Sequence, residues 1–368
     1  MLPFDFRPRT RVLFGEGEFA RLGEVARENG GTRCLLVADQ GIVDAGYAQE
    51  AARSLKARRM IVHTFHDFGA NPDSAKVEAG CEFAKPHGID LIVAVGGGSS
   101  MDCAKAINFL LTNGGVMRDY WGYGKAAQAL LPMIAVPTTA GTGSEAQSYA
   151  TITDTESGVR MACGDRKAVF QVAVLDPRLT VSQPAALAAS SGYDALSHAL
   201  ETLVTTRHTA LSDCFSRSAW RLINAGLEGV IENPKDLDAR GELLIGAHFG
   251  GLAVENSALG AAHACAYPLT AHFGVPHGVA MSVVLAPVVE YNMGTAAARY
   301  EELYRGDLPT RLRQLAELAG LPSTLRDAGV PAEALPRLAE DAGKQWTGKF
   351  NPRAFDTAVA LEIYQRAL

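Results

Sequence analysis

The feature that most constrains this chain is an alternation that stops. As far as Asp176, short and wholly apolar runs alternate with stretches of helical spacing. Beyond Asp176-Pro177 no further run of the first kind occurs. Arg33-Cys-Leu-Leu-Val-Ala-Asp39, Met60-Ile-Val-His-Thr-Phe65, Leu91-Ile-Val-Ala-Val95, Met133-Ile-Ala-Val-Pro137 and Val172-Ala-Val-Leu-Asp176 read as strands. Continuous rather than alternating apolarity implies burial on both faces, which parallel strands covered by crossover helices require. Helical patterns over Gly17 to Asn29, Tyr47 to Ala57 and Ser74 to His87 fall between them. This arrangement predicts an α/β domain built on a mostly parallel, doubly wound sheet. Phe4 to Phe14 reads as a short edge ribbon. Tyr149–Thr153 with Gly158–Ala162 reads as a small hairpin ahead of the last strand.

From Pro184 onward nearly every segment carries a period of about 3.6 residues. The predicted helices are Pro184–Val204, Ala210–Ile231, Ala239–Asn256, Ala258–Phe273 and His277–Tyr291. Shorter ones follow around Tyr300, over Arg311–Leu318, Ala332–Ala342 and Ala354–Ala367. At 368 residues the chain exceeds one typical core. Two domains are expected: 1–180, α/β, and 181–368, all helical. Hydrophobic residues at 48% with 20% charged are the composition of a globular protein. A net charge of −6 argues against nucleic-acid and anionic-membrane partners. No basic leader precedes an apolar run, and no apolar run approaches the roughly 20 residues of a membrane span, so a cytoplasmic protein is expected. The six cysteines lie at scattered positions without metal-finger spacing and read as reduced thiols.

Three loops follow predicted strands and carry the first chemistry. Leu91–Val95 runs into Gly96-Gly97-Gly98-Ser99-Ser100-Met101-Asp102. Glycines there let backbone approach a ligand, and the next helix offers free N–H groups and a partial positive charge to a phosphate. Ser99 with Asp102 equally fits a capping box, which needs no ligand. The usual acid about 20 residues downstream is missing. The candidate lies earlier, at Asp39, where a carboxylate would accept the ribose hydroxyls of NAD and repel the extra phosphate of NADP; an Asp opening a loop would look the same. Pro137-Thr138-Thr139-Ala-Gly141-Thr142 suits a diphosphate or a ribose at a strand's carboxyl end.

The second chemistry lies in the helical half. Asp194 and His198 are four apart on one helix, so both project from one face. His263 and His277 lie on two further helices separated by the breaker Gly274-Val-Pro276. Either four ordinary residues occupy these positions, or one carboxylate and three imidazoles converge on a divalent metal. Cys265, two residues from His263, points elsewhere on a helix and is not a ligand. Joined to a nucleotide site, such a metal would polarise a carbonyl or acidify an alcohol while nicotinamide carries the hydride. Mixed N/O donors suit Fe(II) or Zn(II).

Over essentially its whole length the chain resembles the iron-containing (group III) alcohol dehydrogenase family. The resemblance rests on Gly96-Gly-Gly-Ser-Ser-Met-Asp102-Cys-Ala-Lys105, Pro137-Thr-Thr-Ala-Gly-Thr142, Gly192-Tyr-Asp194-Ala-Leu-Ser-His198-Ala-Leu-Glu201, the His263 to Pro276-His277-Gly278 segment and Asn351-Pro352-Arg353. It implies a dehydroquinate-synthase-like architecture and NAD-dependent (less so NADP-dependent) oxidoreduction of a small alcohol or aldehyde. It also implies iron, with zinc an alternative, and a homodimer or larger homo-oligomer. Asp194, His198, His263 and His277 would be the ligands. Asp39, Asn71, Gly97, Gly98, Ser99, Asp102, Thr138, Thr139, Thr142, Arg160 and Leu179 would line the cofactor site, with Arg160 standing where the family often has Lys. One position departs from the pattern: many relatives carry a second His four residues after the first, where this chain has Tyr267. Tyr267 and Asp102 are the candidate catalytic groups, Tyr267 as a phenolic proton relay. A similar Tyr occurs in the hydroxyacid–oxoacid transhydrogenase branch, which supplies the rival reading. His272 is expected on a helix surface or behind the ligands.

Overall fold

The structure is a computed structural model, and it describes residues 2–368. The chain divides into two compact units. One comprises Phe6–Thr139 and Ser144–Ser182; the other includes Gln183–Leu368 together with the short loop Ala140–Gly143.

The first unit runs β1 (Arg11–Phe14), α1 (Leu22–Glu28), β2 (Arg33–Val37), α2 (Gln40–Asp44), α3 (Tyr47–Ala57), β3 (Ile61–Phe65), α4 (Ser74–Ala84), β4 (Leu91–Gly96), α5 (Gly98–Asn113), β5 (Gly122–Tyr123), β6 (Met133–Pro137), β7 (Tyr149–Thr153), β8 (Arg160–Gly164) and β9 (Val172–Leu175). Six strands form one sheet in the order β1-β9-β6-β4-β2-β3, every pairing parallel. Alternate residues of the same strand feed two separate cores. Leu35, Val37, Ile92 and Ala94 pack with Val77, Met101 and Ile107 of α4 and α5. Cys34, Leu36, Val93 and Val95 pack with Leu22, Val25, Ala51 and Leu55 of α1 and α3. This is why the central strands β4, β6, β9 and β2 from Cys34 onward are apolar throughout: neither face meets water. Because β3 lies on one side of β2 and β4 on the other, the chain reverses its direction across the sheet between β2 and β4. The carboxyl ends of strands at such a switch point form the ligand crevice of open α/β sheets. The hairpin of β7 and β8 is antiparallel, as expected, and gains β5 as a third strand.

The second unit is helical: α6 (Ala185–Val204), α7 (Ala210–Glu232), α8 (Leu237–Glu255), α9 (Ala261–Phe273), α10 (His277–Tyr300), α11 (Leu308–Leu318), α12 (Leu335–Gly343) and α13 (Thr357–Arg366). From Ala188 to Val204 every residue of α6 except Ser191 is buried, so α6 is the central helix. Ala140–Gly143 belongs to this unit because its glycines press on helix backbones. A Cβ on Gly143, which sits at φ +59°, would lie 2.7 Å from the Gly251 Cα, and one on Gly141 2.8 Å from the Ser191 carbonyl oxygen.

Several sequence expectations need correcting. The ribbon expected over Phe4 to Phe14 is a strand only from Arg11, pairing in parallel with β9 at the sheet edge. The Gly17–Asn29 helix opens as a 3-10 turn, Glu18–Arg21, and Ser74–His87 gives way at Lys85 to another, where Pro86 lacks a donor. Asp39 opens a short helix rather than a loop, capping α2 by accepting from the Ile42 N–H. Ser99 and Asp102 form no capping box: Gly97 is the cap residue of α5, and no side chain caps it. The helix expected at His277–Tyr291 runs unbroken through Pro287 to Tyr300. By length and hydropathy it is also a membrane-span candidate, against the expectation that no such segment exists; 72% of that window is buried inside the protein, which accounts for its apolarity.

Candidate metal and cofactor sites

The metal-ligand candidates meet in the helical unit. Asp194 and His198 sit one turn apart on α6, His263 lies in the first turn of α9, and His277 opens α10 directly after Pro276. Asp194 Oδ1 lies 3.7 Å from His198 Nε2, 3.8 Å from His263 Nε2 and 3.5 Å from His277 Nε2. The donor atoms of Asp194, His263 and His277 are all within 4.8 Å of one another. A tetrahedral ion with ligand distances of about 2.0–2.2 Å needs donors about 3.3–3.6 Å apart. The Asp194–imidazole spacings, 3.5 to 3.8 Å, lie at or slightly above that range. Burial supplies a second test. His263 is 1% exposed, yet its Nε2 has no hydrogen-bond partner. A buried, unsatisfied imidazole nitrogen costs about 1–3 kcal/mol unless something fills its lone pair. The residues therefore fit a divalent cation.

The electrostatics of the set are asymmetric. Burial pulls His198 below its ordinary value despite the neighbouring Asp194. Burial pulls on His263 as well, but the facing Glu201 carboxylate outweighs it and leaves that ring above its ordinary value. His277 is the accessible member, its side chain 24% exposed. Tyr267, one turn beyond His263 on α9, stacks on the His277 ring at 5.6 Å and 14° and meets His263 edge-on at 5.9 Å. The structure thus brings Tyr267 against two of the four candidate ligands. His272 instead pairs with Asp341 on the surface, 2.8 Å away.

The candidate cofactor residues divide into groups. At the switch point between β2 and β4, Asp39 Oδ2 accepts from Ser100 Oγ at 3.2 Å, and Ser99 Oγ accepts from the Asn71 N–H at 3.1 Å. Asn71 holds φ +53° to make that approach. Gly96 requires its glycine: at φ +144°, a Cβ would meet Ser100 Oγ at 2.3 Å. Beside it, Gly97 faces Thr139, and the Thr138 N–H donates to the Gly96 carbonyl. Asp39, Asn71, Gly97, Gly98, Ser99, Thr138 and Thr139 thus gather at the carboxyl edge of the sheet around an α5 terminus that no side chain caps. Thr142 belongs to the loop that packs with the helical unit. Leu179 is buried in the core formed with α1 and α3.

Asp102 lies one turn inside α5 with both oxygens engaged, accepting from Ser144 Oγ (2.7 Å) and the Thr151 N–H (3.0 Å). Burial raises its carboxyl above the ordinary range, against the opposing pull of Lys105 and these hydrogen bonds. The fully buried Lys105, one turn on, donates to the Ser144 and Tyr149 carbonyls, both at 2.7 Å. Together they fasten the 144–151 segment to α5. Arg160, on β8, contributes to the same field, and its buried Nε has no hydrogen-bond partner. The Lys105 clamp is a feature the sequence hid, since a lysine in a helix reads as solvated surface. Glu201 is another: its residue type alone suggests no role, although its spacing from His198 places it on the same face of α6.

The chain is similar to known proteins over its whole length. A family model for iron-containing alcohol dehydrogenase matches residues 8–177, and one for the C-terminal region of the Fe-containing alcohol dehydrogenase family matches 188–368. The chain is 34% identical to alcohol dehydrogenase 4 of Schizosaccharomyces pombe, covering 92% of this chain and 83% of that protein. It is 31% identical to the NAD-dependent methanol dehydrogenase of Bacillus methanolicus, over 99% of each. A solved structure of 1,3-propanediol oxidoreductase superimposes over all of both chains with a TM-score of 0.96 at 30% identity.

Proposed function

The chain belongs to the iron-containing alcohol dehydrogenase family, and from that premise we propose that it interconverts a small alcohol and its aldehyde with NAD and a divalent metal, Fe(II) or Zn(II). The observation that carries the reading is the cluster of Asp194, His263 and His277, with donor atoms within 4.8 Å of one another, a third imidazole, His198, 3.7 Å from Asp194 Oδ1, and a buried His263 whose Nε2 is unsatisfied. When bound, the ion would supply Lewis acidity toward a substrate oxygen and the nicotinamide a hydride acceptor or donor.

The chain's own residues supply the rest. Asp194, His198, His263 and His277 would hold the metal, and the exposed side at His277 leaves an approach for substrate. Tyr267 stacks on the His277 ring, and its phenol would exchange a proton with a bound alcohol. The uncapped N-terminus of the 16-residue α5 would take the dinucleotide phosphates through its N–H groups and partial positive charge. Asp39 would accept the ribose hydroxyls at the end of β2.

The direct test is consumption of added NADH by a panel of short aldehydes. Activity should vanish on exhaustive chelation and return with Fe(II) or Zn(II). Turnover only with a hydroxy acid and an oxo acid together, without free NADH, would instead assign transhydrogenation. Asp39→Gly tests the cofactor preference. Removing its negative charge should raise the ratio of kcat/KM for NADPH over NADH by roughly tenfold or more. Glycine still caps α2, at a cost of only a few tenths of a kcal/mol. An unchanged ratio would remove Asp39 from the ribose site.

A further inference from the structure

The N-terminus of α9 is stopped by groups from outside the helix. Its cap residue, Gly260, has no side chain to offer. Glu201 Oε1 instead accepts from the Ala262 N–H at 2.6 Å and the His263 N–H at 3.4 Å, while Asn351 Oδ1 accepts from the Ala261 N–H at 3.4 Å. Gly260 makes room for both: a Cβ there would lie 3.0 Å from Glu201 Oε1 and 3.2 Å from Asn351 Oδ1. The second oxygen of Glu201 serves a different purpose. Oε2 lies 2.5 Å from Nδ1 of His263, with Glu201 5% and His263 1% exposed.

Resting on the metal reading above, we propose that Glu201 is a positioning residue that sets the tautomer of His263. A carboxylate accepts but does not donate, so the ring must carry its proton on Nδ1. That leaves the Nε2 lone pair aimed at Asp194 Oδ1 and the ion. The same carboxylate anchors the first turn of α9, so the bond that selects the tautomer also fixes where the ring stands. An amide cannot do both. With its oxygen on the Ala262 N–H, a glutamine turns its NH2 toward Nδ1, which must then accept, and the proton moves to Nε2 where it blocks the metal. If the amide flips, its NH2 faces two backbone donors.

The test is Zn(II) affinity of the full-length apoprotein, measured by competition with a chelator for wild type, Glu201→Gln and Asn351→Ala. Glu201→Gln should weaken Zn(II) binding about 10–100-fold. Asn351→Ala loosens the same helix end without touching the His263 ring. It should lower the melting temperature while leaving Zn(II) affinity within about threefold, well below the roughly 10–100-fold loss expected for an outer partner. Equal losses in both variants would overturn the proposal, because the effect would then come from helix position. So would undiminished affinity in Glu201→Gln. Absence of Zn(II) and Fe(II) binding by the wild type would overturn the metal reading itself, a distinguishable result. Should Glu201→Gln fail to fold, nitrogen-15 histidine NMR of the Zn(II)-loaded wild type decides. A downfield, slowly exchanging Nδ1 proton on His263 supports the bond to Glu201, and a rapidly exchanging one overturns it.

Discussion

His263→Ala should abolish metal binding, and with it at least about a thousandfold of the aldehyde-dependent oxidation of NADH. The expectation follows from burial and direction together. His263 is almost fully enclosed, its Nε2 has no protein partner, and it faces Asp194 Oδ1 across 3.8 Å. Neither nearby candidate replaces it: Cys265 is two positions on in the same helix, and His272 is tied to Asp341 at the surface. The loss should exceed the roughly 10–100-fold expected for an outer partner such as Glu201. It should also cost the apoprotein about 1–3 kcal/mol, because Glu201 would keep its buried charge and lose an imidazole partner. Metal content per folded protein, with circular dichroism as the control for folding, separates the two effects. His272→Ala should change neither metal content nor turnover. A His263→Ala protein that retains stoichiometric metal would remove this residue from the ligand set.

Gly278→Ala should damage stability and metal site at once. Gly278 follows His277 in the first turn of α10, where that helix crosses α6 with backbone against backbone. A Cβ there would lie 2.0 Å from the Ser190 carbonyl oxygen and 2.5 Å from its carbon. These are main-chain atoms of a helix buried through almost all of its length, so no rotamer change relieves the clash. The helices must separate, at a cost of about 1–3 kcal/mol. For a unit of this size that lowers the melting temperature by roughly 2–12 °C. Ser190 is one turn before Asp194 and Gly278 is next to His277, so the separation falls directly between two donors now 3.5 Å apart. Metal affinity should drop with stability. Gly274→Ala provides the contrast. That glycine holds φ +64° with open space around it. It should show only the backbone penalty of about 1 kcal/mol and unchanged metal affinity. Comparable metal affinity in Gly278→Ala and wild type would show that the two helices do not depend on that contact.

Much of this architecture was legible because its signals are local. A strand buried on both faces must be apolar at every position, and β4, β6, β9 and β2 from Cys34 onward are. Asp194 and His198 share a face by helical period alone, and Pro276 starts the next helix at the residue that matters, His277. Other features were hidden because they depend on partners far along the chain. Ser99 and Asp102 have capping-box spacing, but Asn71 and the β7 hairpin claim them first. Lys105 looks like solvated surface in sequence and is a buried clamp in the fold. Ala140–Gly143 reads as the end of a strand loop, yet glycine contacts with α6 and α8 assign it to the helical unit.

The sequence by itself determined the kind of chain this is: a parallel α/β unit followed by a helical one, with a glycine-rich loop in the first and a carboxylate and three imidazoles in the second. Period and residue chemistry carry that information, and both are properties of short stretches. Only the tertiary structure decided which nitrogen of His263 faces Asp194, what holds its other nitrogen, and that Tyr267 lies flat on His277. Those depend on how closely α6, α9 and α10 approach. That distance is set by glycines meeting main-chain and carboxylate atoms across helix crossings, which no local pattern records.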